Sequence, residues 1–228
     1  IWLIEARRTY QWKPSKHIAP APLSAFSVFG PAILGSELLV AARTHGDKLL
    51  VGALLGTEAL GLYYFAFNAG LGITQSFVSA CNLVLFPHLA NARSDQFGNE
   101  FRRSFILGFV VLCPIVIAQA ALAPYYVPVI FGANWVQSVP YVALLVGAAL
   151  PLYAGAILGA RYRALNTPFA ETRLMAAATF AALIGLATGT QITLAAACVG
   201  FVTGLSIVLL PAAAFQLLIT TKPAAATV

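Results

Sequence analysis

The stretch FILGFVVLCPIVIAQAALA, from Phe105 to Ala123, contains no charged residue and one strongly polar side chain, Gln119. A helix needs roughly 20 predominantly apolar residues to cross a hydrocarbon core. The stretch therefore reads as a membrane span, kinked at Pro114, where the missing N–H interrupts the helical ladder. Working outward, the same length test selects five more segments: 24–55, 60–89, 139–160, 174–188 and 193–219. Pro140 opens the fourth and Pro151 lies inside it, the fifth is short and Ala-rich, and Pro211 lies inside the sixth. The expected fold is all-α: a polytopic membrane protein, a six-transmembrane-helix bundle over residues 24–219. A loop or interfacial segment (1–23) precedes the bundle and a short tail (220–228) follows it.

Composition points the same way. Of 228 residues, 60% are hydrophobic and 9% charged, and the mean hydropathy is +0.86. A soluble domain carries about a quarter charged residues, so too few remain to wet a globular surface of this size. The net charge of +6 falls in small clusters between apolar runs and forms no single basic patch, which argues against nucleic acid. Cys81, Cys113 and Cys198 sit inside apolar runs without metal-ligand spacing and read as small buried hydrophobes. The chain opens at Ile1 without a basic-then-apolar leader, and reads as an excised part of something longer.

The positive-inside rule supplies an independent test. Arg7, Arg8, Lys13 and Lys16 precede the first segment; Arg93, Arg102 and Arg103 follow the second; Arg161, Arg163 and Arg173 follow the fourth; Lys222 follows the sixth. The loops 124–138 and 189–193 have no Lys or Arg, and the turn after the first segment has only Glu58. Six spans with both termini in the cytoplasm is the count that gives this alternation. Trp2, Trp12, Tyr125, Tyr126 and Trp135 lie at segment ends, where amphipathic rings prefer the headgroup level. The apolar loop 125–132 suggests a short helix or re-entrant turn at the outer interface.

No catalytic constellation is present. His17, His45 and His88 lie in separate segments without ligand partners, and no phosphate-cradling glycine loop precedes a Lys-Ser/Thr pair. The expectation is no enzyme, no metal and no cofactor. The informative residues are charges inside the first segment: Glu37, Arg43, Asp47 and Lys48. Charge in a span is costly and usually faces a bundle interior or a water-filled cavity. Arg43 and Asp47 are spaced to pair on a continuous helix. That pair either holds the helix against its neighbours or serves a pathway. Glu37 lacks a partner in its own helix, which favours a cavity-facing role. The segment is too long for one straight span, so a bend or loosening near His45-Gly46 is expected, and a break there would leave Asp47 and Lys48 at the outer surface. In the second segment Asn68, Gln75, Ser79 and Asn82 fall on one helical stripe, suited to lining a pathway or to hydrogen bonding between helices. Gly52/Gly56, Gly155/Gly159, Gly185/Gly189 and Gly200/Gly204 are small-xxx-small pairs, read as packing.

Several motifs together resemble the polysaccharide flippases. They are Phe29-Gly30-Pro31, the run from Gly46-Asp47-Lys48 to Gly56, Ala59-Leu60-Gly61-Leu62-Tyr63, Leu85-Phe86-Pro87, and Phe131-Gly132-Ala133-Asn134-Trp135 with Val139-Pro140. Those are the Wzx-like exporters of O-antigen and exopolysaccharide units in the multidrug/oligosaccharidyl-lipid/polysaccharide superfamily. The likeness covers about residues 24–165, and the last two segments match in hydrophobicity alone. The resemblance implies the C-terminal lobe of a two-lobed transporter in the bacterial inner membrane. Its partner would be an N-terminal lobe. Its cargo would be an oligosaccharide on undecaprenyl pyrophosphate, moved outward by alternating access. The family does not fix which residues bind substrate; by their own chemistry Arg43 or Lys48 could supply cations for the pyrophosphate, and Asn68, Gln75 and Asn82 hydroxyl-binding groups for the sugar. Two other readings compete: a drug or cation antiporter lobe using Glu37 or Asp47, and a membrane scaffold for polysaccharide assembly that transports nothing.

Overall fold

A computed structural model describes the backbone of residues 23–90 and 97–220, with side chains except at 23–29, 32, 73, 82, 85–90 and 220. The first helical run, Leu23–Ala90, is 68 residues long and breaks at Gly56 (φ 87°, ψ 177°). That backbone region is essentially restricted to glycine. The run folds back on itself there: Tyr63 Oη lies 3.1 Å from Asp47 Oδ2. Sixteen residues of straight helix would hold those side chains about 24 Å apart. The arms are α1 (residues 23–55) and α2 (residues 57–90).

The expected loosening at His45-Gly46 does not occur. Among the described residues of the run, Gly56 is the one with non-helical φ/ψ. Gly46 instead rests against Leu183 of a later helix, and this contact supports a straight α1.

Helix α3, Phe97–Tyr126, continues as a wide helical turn, Val127–Phe131. A tight helical turn, Ala133–Ser138, leads into α4, Val139–Leu145. The fourth segment is therefore not one helix. The tight turn Val146–Ala148 separates α4 from α5, Ala149–Ala164. Pro151 explains the interruption, because it has no N–H to offer the carbonyl of residue 147 and its ring crowds that carbonyl. Asn166 (φ 56°) then caps α5 in the left-handed region.

Helix α6, Pro168–Thr190, opens with proline at its first position, which costs no hydrogen bond. It is longer than the Ala-rich core of the segment suggested. Helix α7, Leu194–Thr220, is capped by Thr193 Oγ1, which accepts from the N–H of Ala196 at 3.1 Å.

The helices are long and apolar enough to cross a bilayer. The 40-residue stretch Ile33–Gly72 would measure about 60 Å if straight, twice a hydrocarbon core. Folded at Gly56 it provides two legs, and the described residues form six in all, with α4 and α5 together making one. The surface is apolar as a lipid-facing surface must be: Ile106, Leu107, Val110, Ile117, Phe180, Ile184, Ile207 and Phe215 are all exposed. The interior holds Tyr63, Phe101, Leu112, Leu145, Tyr153, Ile157, Leu186 and Phe201.

Three contacts order the legs. Helix α1 runs parallel to α6, with Ser36 hydrogen-bonded to Thr172, Thr179 Oγ1 donating to the Leu39 carbonyl, and Gly46 against Leu183. Helix α2 meets α3 where Gln119 donates to the carbonyls of Ala69 and Gly70 at 3.0 and 2.7 Å. Helices α6 and α7 pack backbone to backbone: a Cβ on Gly200 would come 2.0 Å from the Gly185 carbonyl oxygen. The glycine pairs 185/189 and 200/204 thus serve packing. Trp135 stacks on Phe65 at 4.1 Å, joining the turn before α4 to the half of α2 nearer Gly56. The opposite end, where α5 ends and α6 begins, carries Arg161, Arg163 and Arg173, with Arg102 and Arg103 near the start of α3.

Candidate functional site

Toward the arginine-rich end of this apolar bundle lies an open cavity of about 280 Å³, lined by charged, polar and apolar side chains. It draws on one face of each of five helices. Helix α1 contributes Ser36, Glu37, Val40 and Arg43, at helical spacing along one stripe. Helix α2 contributes Gln75, Val78 and Ser79; α5 contributes a stripe from Leu152 to Arg163 that includes Gly155 and Gly159; α6 adds Glu171 and Met175; α7 adds Leu209. Glycines 155 and 159 therefore do more than allow close packing, since they leave room for the cavity wall.

Four charged groups face this space, and their standing differs. Glu171 is buried and takes Arg163 in a two-pronged grip, Nε to Oε2 at 2.8 Å and Nη2 to Oε1 at 2.7 Å. Charge-assisted bonds of this shape are strong and directional. Glu37 Oε1 lies 3.6 Å from the same Nη2, with its side chain 62% exposed. Arg43 is 7% exposed, and among the described residues its Nη1 has no hydrogen-bond partner. A buried guanidinium without a partner is expensive. An unsatisfied buried donor calls for an explanation such as a water or an ion, and the same holds for Nε and Nη1 of Arg161, which is not among the cavity-lining residues.

The eight residues singled out in the sequence do not form one site. Glu37, Arg43, Gln75 and Ser79 line the cavity together. Asp47 and Lys48 lie elsewhere. Arg43 and Asp47 do not form the expected ion pair, because Asp47 is fully buried against α2, where it accepts from Tyr63. Its ion pair is with Lys48 at 3.3 Å. The Asp47 oxygens are taken by Lys48 and Tyr63, so Asp47 reaches Arg43 only through its charge at longer range. Lys48 bonds the Thr44 carbonyl at 2.6 Å and sits 3.8 Å over the Phe67 ring. It is half-buried and does not sit free at an outer surface. Asn68 is exposed and spends its amide on the Tyr64 carbonyl. The side chain of Asn82 lies outside the described residues, as do the structure around Arg93 and the side chain of His88.

Two cavity residues were missed as site residues. Arg163 reads in the sequence as one of several loop charges, and Glu171 sits beside Arg173 just after a turn. Their spacing of eight gives no helical signal, because the Asn166 turn lies between them.

Comparison with known proteins places the chain. A family model described as "Polysaccharide biosynthesis protein" matches residues 3–140. The teichuronic acid biosynthesis protein TuaB of Bacillus subtilis is 24% identical over 140 residues, 59% of this chain and 28% of that protein. The lipopolysaccharide biosynthesis protein WzxC of Escherichia coli is 22% identical over 137 residues, 59% of this chain and 28% of that protein. The amylovoran biosynthesis protein AmsL of Erwinia amylovora is 26% identical over 125 residues, 53% of this chain and 32% of that protein. The matched stretch of this chain thus spans less than a third of the length of these relatives. No solved structure matches it. The family match covers more than half of the chain and falls on a bundle of membrane-spanning helices, so the chain belongs to the polysaccharide biosynthesis protein family and is a multi-pass membrane member of it.

Proposed function

We propose that this chain is one six-helix lobe of a flippase that carries lipid-linked polysaccharide units across the bacterial inner membrane. The observation that carries the reading is a cavity in an apolar bundle whose lining includes four charged side chains, Glu37, Arg43, Arg163 and Glu171. Ionisable side chains inside a membrane bundle are expensive and mark substrate or ion pathways by default.

The size of the cavity defines its part in the process. Its volume is about 280 Å³. That suits a phosphate-class headgroup and not a whole oligosaccharide, whose bulk would lie in the space between this lobe and a second one. The lipid tail would stay in the bilayer alongside. Basic residues at the end where α5 meets α6 favour a cytoplasmic position for that end, which puts the cavity on the loading side. Alternating access would then rock this lobe against an N-terminal partner lobe.

The test is rescue of a flippase-deficient strain by the complete transporter. With Arg43→Ala, surface polysaccharide should be lost while the protein remains in the membrane at its usual level. Full rescue by the variant would remove the cavity from the transport route.

A further inference from the structure

Arg163 serves two carboxylates on unequal terms. Glu171 is buried and holds Nε and Nη2 at 2.8 and 2.7 Å. Glu37 reaches the same Nη2 at 3.6 Å from a side chain that is 62% exposed. The first pair is firm. The second is an exposed ion pair, which costs little to break. Glu171 is also confined on its other side, where a Cβ on Gly159 would lie 2.8 Å from Oε1.

Charge counting then separates the roles. Arg43 and Arg163 bring two positive charges to the lining and Glu37 and Glu171 two negative ones, so the lining is neutral with Glu37 in place. If Glu37 turns outward, a net positive charge remains on the lining, carried by Arg43 and a half-freed Arg163. Glu37 and Arg43 are six residues apart on α1, about 9 Å along its axis, which places Arg163 at the mouth and Arg43 farther in.

We infer that Glu37 is a resident anion that holds Arg163 until a phosphate-class anion takes its place, and that Glu171 is the positioning residue that keeps Arg163 aimed at the mouth. The ligand group would bridge Arg163 and Arg43. This rests on the cavity being the anion subsite proposed above, and it adds an exchange step that the subsite alone does not require. No bond is made or broken; one carboxylate ion pair is traded for one phosphate ion pair.

The test uses the full chain in phosphatidylcholine nanodiscs, titrated calorimetrically with inorganic pyrophosphate and separately with farnesyl pyrophosphate. Glu37→Gln should tighten binding of both by about two- to fivefold, the change an exposed ion pair carries. Arg163→Gln should weaken it, and Glu171→Gln should weaken it less. If Arg43→Gln weakens binding while Glu37→Gln leaves it unchanged or weaker, the exchange is overturned and the subsite survives. If Arg43→Gln changes nothing, the subsite itself is overturned. Tighter binding of the farnesyl compound supports a lipid-linked source, and equal binding of the two probes overturns that source in favour of a free anion. Glu37 is exposed and its substitution should not affect folding, so the comparison reads the exchange directly.

Discussion

Tyr63 Oη donates to Asp47 Oδ2 at 3.1 Å across the α1–α2 hairpin, and both residues are fully buried. The bond ties the two arms at a point between the Gly56 turn and the cavity. Asp47 also takes the backbone N–H of Lys48 at 2.6 Å, so it is satisfied from both arms. Tyr63→Phe removes one donor and keeps the ring. It should cost about 1 kcal/mol, a fall of roughly 2–4 °C in melting temperature for a chain of this size, read by thermal unfolding in detergent. An unchanged melting temperature would mean that the hairpin is held by packing alone.

Gly56 is the turn itself. With φ 87° and ψ 177° it occupies a region that a Cβ disfavours by about 1–3 kcal/mol. Space is not the obstacle, because nothing lies within 4 Å of a Cβ built there. Gly56→Ala should therefore destabilise through backbone strain alone, and Gly61→Ala, which is in regular helix and equally open, should be neutral or slightly stabilising. Equal melting temperatures for the two variants would contradict the turn.

Gly200 faces the Gly185 carbonyl at a distance no side chain can enter. Gly200→Leu forces α6 and α7 apart and should cost more than the 1–3 kcal/mol usual for overpacking, seen as loss of monodisperse protein on size-exclusion chromatography. Gly72→Leu, on an open surface of α2, is the control and should elute normally.

Arg43 gives a prediction with opposite signs for stability and function. Burying an arginine at a helix centre costs about 2.5–3.5 kcal/mol on membrane-insertion scales, and the Nη1 of this one recovers no hydrogen bond among the described residues. Arg43→Leu should leave the melting temperature unchanged or raise it, yet abolish rescue of a flippase-deficient strain. A destabilised variant would show instead that the guanidinium is structural.

Orientation is tested by labelling. After replacement of Cys81, Cys113 and Cys198, a cysteine at exposed Asn99 should react from the cytoplasmic side. One at exposed Gln191 should react from outside. The reverse pattern would invert the bundle and place the cavity on the release side.

The sequence by itself determined the class of fold and most of the legs. Apolar runs long enough to span a bilayer, separated by alternating basic and uncharged loops, admit few other structures, because an unpaired backbone is intolerable in lipid and helices satisfy it locally. Such signals are local and survive without any knowledge of neighbours. The same holds for the turn after the first segment and for the facing glycines of α6 and α7, although Gly56, read with Gly52 as a packing pair, packs against nothing and is the turn itself. The site was legible only in part. Glu37, Arg43, Gln75 and Ser79 were readable because each is a polar side chain where lipid would reject it. Arg163 and Glu171 were not, since at a helix end a charge looks like any other loop charge. Which residues meet was decided by tertiary structure alone. The returning arm brings Tyr63 to Asp47. The α5–α6 turn brings Glu171 to Arg163. Pairing energies depend on distances of a few ångström between side chains far apart in the chain, and no periodicity along one helix encodes those distances.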